Sequence, residues 1–230
     1  YKVSDGTVDS ETKIITVKII DGYLSSAKQI GSDIDGESAE DRSGYSVSFN
    51  EDNTVMAIGS INNDDNGTDS GHVKVYQYSS DSWSQVGGDI NGEAVNDQSG
   101  NSVSLSADGK TLAVGAYGND GNGNFSGHVR IYNYNGQNWI QLGGDMNGEA
   151  ADDYSGQSVS LSSEGKTVAI GANNNDGNGS DSGHVRIYSY NGTSWVQLGK
   201  DIDGAAVNDG SGTSISLSSD GTTLAIGATG

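Results

Sequence analysis

The chain has 230 residues, of which 31 are acidic and 11 are basic, so its formal net charge at pH 7 is −20. This charge excludes the basic surface that attracts nucleic acid or anionic membranes, and we expect neither as a partner. The sequence has no cysteine, which excludes disulfides and thiolate metal sites. No apolar run approaches the roughly 20 residues of a membrane-spanning helix, so we expect no membrane insertion.

The first 26 residues differ in pattern from the rest of the chain. Residues 1–19, YKVSDGTVDSETKIITVKI, resemble the last two strands of a bacterial Ig-like or cadherin-like repeat. Residues 1–26 are therefore interpreted either as the end of an Ig-like domain or as closing strands of the fold that follows. Since the first residue is Tyr1, we expect the chain to be part of a longer protein, and the resemblance implies a bacterial protein with neighbouring Ig-like domains.

Residues 27–230 are expected to form one repeating region, in which AKQIGSDI (27–34) occupies a fourth-strand position. The repeat has a period of 56 residues, with units that begin at Gly31, Gly87, Gly143 and Gly199. One tryptophan and one histidine per unit keep the same spacing: Trp83, Trp139, Trp195, His72, His128 and His184. Because no unit gains or loses a residue, each is expected to occupy an equivalent structural position.

Each unit contains four segments with the pattern of β-strands. In the unit that begins at Gly87, SVSLS (102–106) and HVRIYNY (128–134) alternate apolar and polar residues. TLAVGA (111–116) is apolar on both faces, as in a strand between two neighbours, and WIQLGG (139–144) is the fourth segment. The turn ADGK (107–110) joins the first two segments, and Asn135-Gly136 predicts a type I′ turn between the last two.

Four short antiparallel strands per repeat predict an all-β fold, a β-propeller of four-stranded antiparallel blades with about four blades in this chain. The units supply three complete blades and half a blade at the C-terminus. Two arrangements remain open. The N-terminal strands could complete the last blade and close a four-bladed ring, or the chain could be part of a larger ring.

The segment SGNSVSLSADGKTLAVGAYGNDGNGNFSGHVRIYNY (99–134) resembles the FG-GAP repeat, and the resemblance extends over residues 31–230. It implies a β-propeller of a secreted or cell-surface protein, used for adhesion and ligand binding, as in the integrin α head. Integrin-type repeats carry a D-x-D-x-D-G calcium loop between the first two strands. This chain has short turns there, such as SADGK, so the calcium ligands of the family are not carried over to it.

Two loops in each unit are rich in oxygen ligands. The connecting loops between units are residues 33–41, 89–97, 145–153 and 201–209, and the Asn/Gly loops between the second and third strands are residues 63–68, 119–124 and 175–180. In an antiparallel blade both loops emerge on the same side, which we call the acidic face. Since Ca²⁺ binds carboxylate and amide oxygens, we predict calcium ligands at Asp33, Asp35, Glu37, Asp41, Asp89, Asn91, Glu93, Asp97, Asp145, Asn147, Glu149, Asp153, Asp64, Asn66, Asp120, Asn122, Asp176 and Asn178.

Each of these features also has a purely structural interpretation. Asn, Asp and Gly are the residues that tight turns require, so the loops could be turns without ions. The histidines are expected to make structural hydrogen bonds, because no other catalytic group recurs with them. The tryptophans and tyrosine pairs are expected to pack between adjacent blades, the alternative being an aromatic strip for binding sugars.

We therefore expect a secreted or cell-surface module, not an enzyme, that binds a surface glycan or a protein ligand through the acidic face. Nearly identical repeats argue against catalysis, because an enzyme site usually breaks the symmetry of its repeats. The alternatives are a structural spacer or filament subunit of a surface appendage and, third, an accessory domain of a secreted hydrolase.

Overall fold

The computed structural model describes residues 29–230 and the two-residue strand Glu11–Thr12. Apart from that strand, the predicted Ig-like or closing segment, residues 1–26, lies outside the described residues. All regular elements in the described part of the chain are β-strands, which confirms the all-β prediction. No helix long and apolar enough to cross a membrane occurs in these residues.

The strands, in chain order, are β1 (Glu11–Thr12), β2 (Ile34–Asp35), β3 (Ser43–Phe49), β4 (Val55–Ser60), β5 (His72–Ser79), β6 (Ser82–Gln85), β7 (Ile90–Asn91), β8 (Ser102–Leu105), β9 (Thr111–Ala116), β10 (His128–Tyr134), β11 (Trp139–Gln141), β12 (Met146–Asn147), β13 (Ser155–Leu161), β14 (Thr167–Ala172), β15 (His184–Tyr190), β16 (Trp195–Gln197), β17 (Ile202–Asp203), β18 (Ser214–Leu217) and β19 (Leu224–Gly227).

These strands form antiparallel blades. The first blade has the order β3-β4-β5-β6, the second β8-β9-β10-β11 and the third β13-β14-β15-β16, and β18 pairs with β19 in a C-terminal hairpin. Three four-stranded blades and half of a fourth are the arrangement that the repeats predict. The second strand of a blade pairs on both sides, and all six residues of both β4 and β9 are buried, as expected from their apolar composition.

A fifth short strand in each blade was not predicted. The fourth strand of the second blade ends at Gln141, and Gly143 then has a φ of +81°. The chain turns back, and β12 pairs with the start of β10, with Met146 opposite Val129. This pairing buries Met146, which is 6% exposed. The same arrangement holds β7 against β5 and β17 against β15.

The predicted type I′ turn at Asn135-Gly136 is wrong. Gly136 has a φ of +96°, whereas neither Asn135 nor Gln137 has a positive φ. Asn135 donates its N–H to the carbonyl of Asn138 at 3.1 Å, so Gly136 and Gln137 are the central residues of the turn. A positive φ at the first central residue alone is the pattern of a type II′ turn. In the first blade, Ser80 and Asp81 both have positive φ, at 53° and 63°, as a type I′ turn requires.

The hydrophobic core lies between consecutive blades. Between the first and second blades it contains Val55, Ala57, Val73, Val75, Leu105, Leu112, Val114 and Tyr132, and between the second and third blades Ala113, Val129, Ile131, Val159, Leu161, Val168 and Ile170. The first strands also hydrogen bond across this junction. Ser48 Oγ accepts from the N–H of Leu105 at 3.0 Å, and Ser102 Oγ donates to the carbonyl of Gly156 at 2.8 Å.

The described strands do not close into a ring. The hairpin β18–β19 forms a separate two-stranded sheet, and β1 pairs with β2. In that pair Thr12 lies opposite Ile34, just as Val73 of β5 lies opposite Ile90 of β7. Strand β1 therefore occupies a third-strand position relative to β2. Among the described residues no pairing joins β1 to β18 or β19.

Candidate functional site on the acidic face

The connecting loops and the Asn/Gly loops lie together on one face, as predicted. The side-chain amide of Asn122 donates to the carbonyl of Gly148 at 2.8 Å, so an Asn/Gly loop is tied to the connecting loop that follows its blade. The equivalent bonds join Asn66 to Gly92 at 2.7 Å and Asn178 to Gly204 at 2.8 Å. The amide nitrogens of these three predicted ligands thus bind the neighbouring loop.

A buried aspartate anchors each of the first three connecting loops. Asp97 is 2% exposed, and its Oδ2 accepts the backbone N–H groups of Glu93 and Ala94, both at 2.9 Å. Its Oδ1 accepts from Asn119 Nδ2 at 3.2 Å, 22 residues away in the Asn/Gly loop. The buried Asp41 and Asp153 bind Asn63 and Asn175 in the same way. Because a buried carboxylate without donors is costly, these bonds explain why the aspartates are tolerated.

A second aspartate shapes each Asn/Gly loop. Oδ1 of Asp120 accepts the N–H of Phe125 at 2.8 Å. Asp64 and Asp176 accept from Asp69 and Asp181, also at 2.8 Å. These bonds close the loop from within.

The remaining predicted ligands lie around the short strands. Asp33, Asp89 and Asp145 precede them, and each accepts from a glutamine side chain, at 2.7, 2.5 and 2.6 Å. Asp35, Asn91 and Asn147 lie within strands β2, β7 and β12, and Glu37, Glu93 and Glu149 follow those strands.

The glutamates meet the histidines of the third strands. Three groups have donor atoms that all lie within 4.8 Å of one another: Glu37, Asp65, His72 and Asp89; Glu93, His128 and Asp145; Glu149, His184 and Asp201. We call them the first, second and third histidine clusters. Each takes its glutamate from one connecting loop and an aspartate from the next. Asp89 and Glu93, predicted as calcium ligands within the same connecting loop, therefore belong to different clusters.

The histidines were expected to recur without other catalytic groups, but carboxylates that could act with them recur beside each one. The three histidines are 2%, 1% and 3% exposed, and each lies beside two carboxylates that repeat with it. Burial lowers the pKa of His72 and His184, and it lowers the pKa of His128 to about 4. The imidazoles are therefore neutral at pH 7. Among the described residues, one ring nitrogen of each histidine has no hydrogen-bond partner: Nδ1 of His72 and of His184, and Nε2 of His128.

A basic residue two positions after each histidine enters the same cluster. Arg186 binds Asp201 through Nε and Nη2, at 3.0 and 2.9 Å, and it also binds Glu149. The bidentate bond with Arg186 lowers the pKa of Asp201. Arg130 approaches Glu93 to 3.3 Å. Lys74 binds Glu37 and lies 3.8 Å from Asp89; burial opposes its charge, but these carboxylates raise its pKa overall. Each cluster is thus a network of opposite charges at the start of the third strand of a blade.

The tryptophans pack between adjacent units, as expected. Trp139 Nε1 donates to the carbonyl of Val86 at 3.0 Å, and its ring lies 5.2 Å from that of Tyr134. Trp83 and Trp195 make the equivalent bonds to Ile30 and Leu142. Because its N–H is hydrogen bonded to the preceding unit, each indole links two consecutive units.

The donor set of the histidine clusters does not suit calcium, although these acidic clusters could hold a metal ion. Ca²⁺ prefers six to eight oxygen ligands, whereas every cluster includes an imidazole nitrogen. Imidazole together with carboxylate is typical of zinc and similar divalent transition metals. Calcium binding by the loop oxygens themselves remains a prediction.

Sequence reasoning did not find Asp65 or Asp201 as candidate ligands, nor did it group any of the carboxylates with the histidines. One signal was present, because Glu37, His72 and Asp89 all recur with the 56-residue period. The period shows that they repeat together, but it does not show that they touch.

Comparison with known proteins identifies the repeats. FG-GAP repeats match at residues 32–76, 91–132 and 147–188, which together make up more than half of the chain. No curated protein matches the chain. Each match begins near a short strand, crosses the first two strands of a blade and ends in its third strand. The repeat match and the blades agree, so this chain belongs to the FG-GAP repeat family.

Proposed function

We propose that this chain is an extracellular β-propeller module that binds a surface glycan or a protein ligand through its acidic face, in cell adhesion. FG-GAP repeats are typical of extracellular proteins and generally form non-catalytic binding modules. The observation that carries the proposal is the repetition of one loop scaffold. The pairs Asp41–Asn63, Asp97–Asn119 and Asp153–Asn175 hold three equivalent loop pairs in one arrangement.

This repetition supports a multivalent binding surface. Three similar loop pairs on one rigid face offer several similar weak contacts, which combine through effective concentration when the ligand is itself repetitive. Glycans and fibrous extracellular proteins are repetitive ligands of this kind. The negative charge favours ligands with basic groups, or ligands that bind through a bridging cation.

The direct test is surface plasmon resonance of the chain against immobilised glycans and extracellular matrix proteins. A double variant, Glu40→Asn with Asp152→Asn, removes two exposed charges from the acidic face. Both residues have positive φ, 73° and 65°, and the equivalent positions of other units carry Asn96 and Asn208. Asparagine tolerates this conformation better than most residues, so the fold is retained.

The matched control removes two charges from the opposite face, where the tight turns lie. Glu51→Ser with Glu164→Gln serves this purpose, because both side chains are exposed there. We expect the acidic-face variant to bind more weakly and the control to bind like the native chain. Equal binding by all three proteins would contradict a ligand site on the acidic face. If the chain binds no ligand, the structural spacer becomes the better interpretation.

Calcium is tested separately, by thermal unfolding in EGTA and in excess Ca²⁺. A ligand that binds only the native state raises its stability by RT ln(1 + [L]/Kd). A midpoint that rises in Ca²⁺ and not in Mg²⁺ supports calcium on the acidic face. An unchanged midpoint leaves the loops as turns held by their own hydrogen bonds.

A further inference from the structure

The first histidine cluster differs from the other two at two positions. Asp65 adds a third carboxylate, whereas the equivalent residues are Gly121 and Gly177. Its basic residue is Lys74, where the other clusters have Arg130 and Arg186. With neutral histidines, the side chains of the first cluster sum to a charge of −2, and those of the other two sum to −1 each.

We propose that the first histidine cluster is a binding site for a zinc-like divalent transition metal, with His72, Asp65, Asp89 and Glu37 as its ligands. The net charge of this cluster is balanced by one divalent cation. The proposal is independent of ligand binding by the acidic face.

The unpartnered nitrogen of His72 is the first support. His72 is 2% exposed, and its Nδ1 has no hydrogen-bond partner within the part of the chain that the structure describes. It lies 3.7 Å from Oδ2 of Asp65, which is beyond hydrogen-bond distance. Two tetrahedral ligands at about 2.05 Å from zinc would lie about 3.3 Å apart, so a small shift brings both atoms into coordination.

The position of the carboxylates is the second support. Four segments contribute: Glu37 from the loop before the first blade, Asp65 from the Asn/Gly loop, His72 from the start of β5 and Asp89 from the loop after β6. The side chains of Glu37 and Asp65 are 45% and 47% exposed, whereas that of His72 is 3% exposed. An ion from solvent therefore meets the carboxylates first and the fixed imidazole last.

Lys74 must leave the carboxylates when the metal binds. A lysine side chain has a flexible stem and a single ammonium group, so it can withdraw from Glu37 and Asp89. In the third cluster, Nε and Nη2 of Arg186 donate to Oδ1 and Oδ2 of Asp201, at 3.0 and 2.9 Å. An arginine in this geometry competes far better with a metal. The second and third clusters therefore serve as comparisons within the same chain.

The experiment is calorimetric titration of the whole chain with Zn²⁺ in the presence of excess Ca²⁺. It is combined with NMR of the imidazole nitrogens, since the chain has only three histidines. We expect one tight equivalent of Zn²⁺ and a change in the His72 signals alone. Three equivalents of similar affinity, equal changes in all three histidines, or no binding would overturn the proposal.

Two variants test the ligand set with residues that the other units already carry. We expect Asp65→Gly and Lys74→Arg each to weaken Zn²⁺ binding by more than about tenfold, since loss of even an outer-shell partner commonly costs that much. Glu164→Gln, on the opposite face, should bind Zn²⁺ like the native chain. Thermal unfolding without metal checks that each variant is folded. Unchanged Zn²⁺ affinity in folded Asp65→Gly would show that Zn²⁺ binds elsewhere.

Calcium and zinc results are distinguishable although Glu37 and Asp89 belong to both predicted ligand sets. Because excess Ca²⁺ is present in the zinc titration, oxygen-only sites are already filled. A zinc site that survives this competition uses the imidazole. Failure of the zinc titration would leave the proposed binding of ligands by the acidic face untouched.

Discussion

The indole Nε1 of Trp139 donates a hydrogen bond of 3.0 Å to the carbonyl of Val86, 53 residues earlier in the chain. The bond joins the fourth strand of the second blade to the end of the first blade's fourth strand. It recurs between Trp83 and Ile30 and between Trp195 and Leu142. One side chain per unit therefore fixes the distance between neighbouring outer strands.

Replacing this tryptophan should weaken the junction measurably. Trp139→Phe keeps an aromatic ring but removes the donor, so the Val86 carbonyl loses a partner. We expect the free energy of unfolding to fall by about 1–2 kcal/mol, one hydrogen bond plus some lost contact area. Urea unfolding measures it. Ile140→Thr, on the same strand but 52% exposed, is the control, and a change of the same size there would contradict a specific role for the indole.

The buried pair Asp97–Asn119 allows a double-mutant test. In Asp97→Asn an amide N–H₂ would face either two backbone N–H groups or Asn119 Nδ2, so a donor is left without an acceptor. We expect the free energy of unfolding to fall by about 1–3 kcal/mol.

The exchanged pair, Asp97→Asn with Asn119→Asp, should recover most of that loss. The new carboxylate accepts from the amide at position 97 and still accepts the N–H of Gly121, which Asn119 Oδ1 accepts at 2.9 Å. Chemical denaturation of both single variants and the double variant gives the coupling energy. Additive losses would show that the two side chains do not act as a pair.

The close approach of consecutive blades predicts that Gly115 does not tolerate a side chain. A Cβ at this position would lie 2.2 Å from the carbonyl oxygen of Gly156 in the next blade. Gly115→Ala should therefore lower the free energy of unfolding by about 1–3 kcal/mol, as overpacking usually does. At Gly144 no atom lies within 4 Å of an added Cβ. Thermal unfolding should leave Gly144→Ala close to the native protein, and equal losses in both variants would contradict the contact.

Stability should fall as the pH decreases below the ordinary histidine pKa of 6.5. Burial, with the charge of Arg130, lowers the pKa of His128 to about 4, while Asp145 and Asp97 oppose the shift, and Glu93 lies 3.9 Å from its Nδ1. The folded state therefore binds a proton less readily than the unfolded state. The contribution of the neutral imidazole to the free energy of unfolding is fully present above about pH 6.5. It decreases as the pH falls toward 4, by up to about 3 kcal/mol.

Urea unfolding between about pH 7 and pH 4.5 measures this loss in the native chain and in His128→Gln. Protonation of distant carboxylates affects both proteins alike. The difference between their free energies of unfolding therefore reports the contribution of His128. We expect that difference to shrink as the pH falls. A difference independent of pH would mean that folding does not lower the pKa of His128.

The strands and their order within a blade could be read from the sequence, because they depend on local signals. Val103 and Leu105 alternate with serines in β8, and the apolar TLAVGA segment became the fully buried β9. The short strand β12 could not be predicted from local signals. It is defined by the pairing of Met146 with Val129, which lies in an earlier strand. The turn at Asn135-Gly136 also depended on context, because the pairing of Tyr134 with Trp139 sets which residues are central.

The sequence by itself determined the 56-residue period, the all-β blades and the placing of both oxygen-rich loops on one face, since a constant spacing and strand alternation require them. Only the tertiary structure decided which carboxylates meet. Asp97 is buried and accepts a hydrogen bond from Asn119, and Glu37 lies close to His72 and Asp89. The physical reason is that these groups are distant in sequence, and they come together only when each connecting loop packs on the third strand of a neighbouring blade.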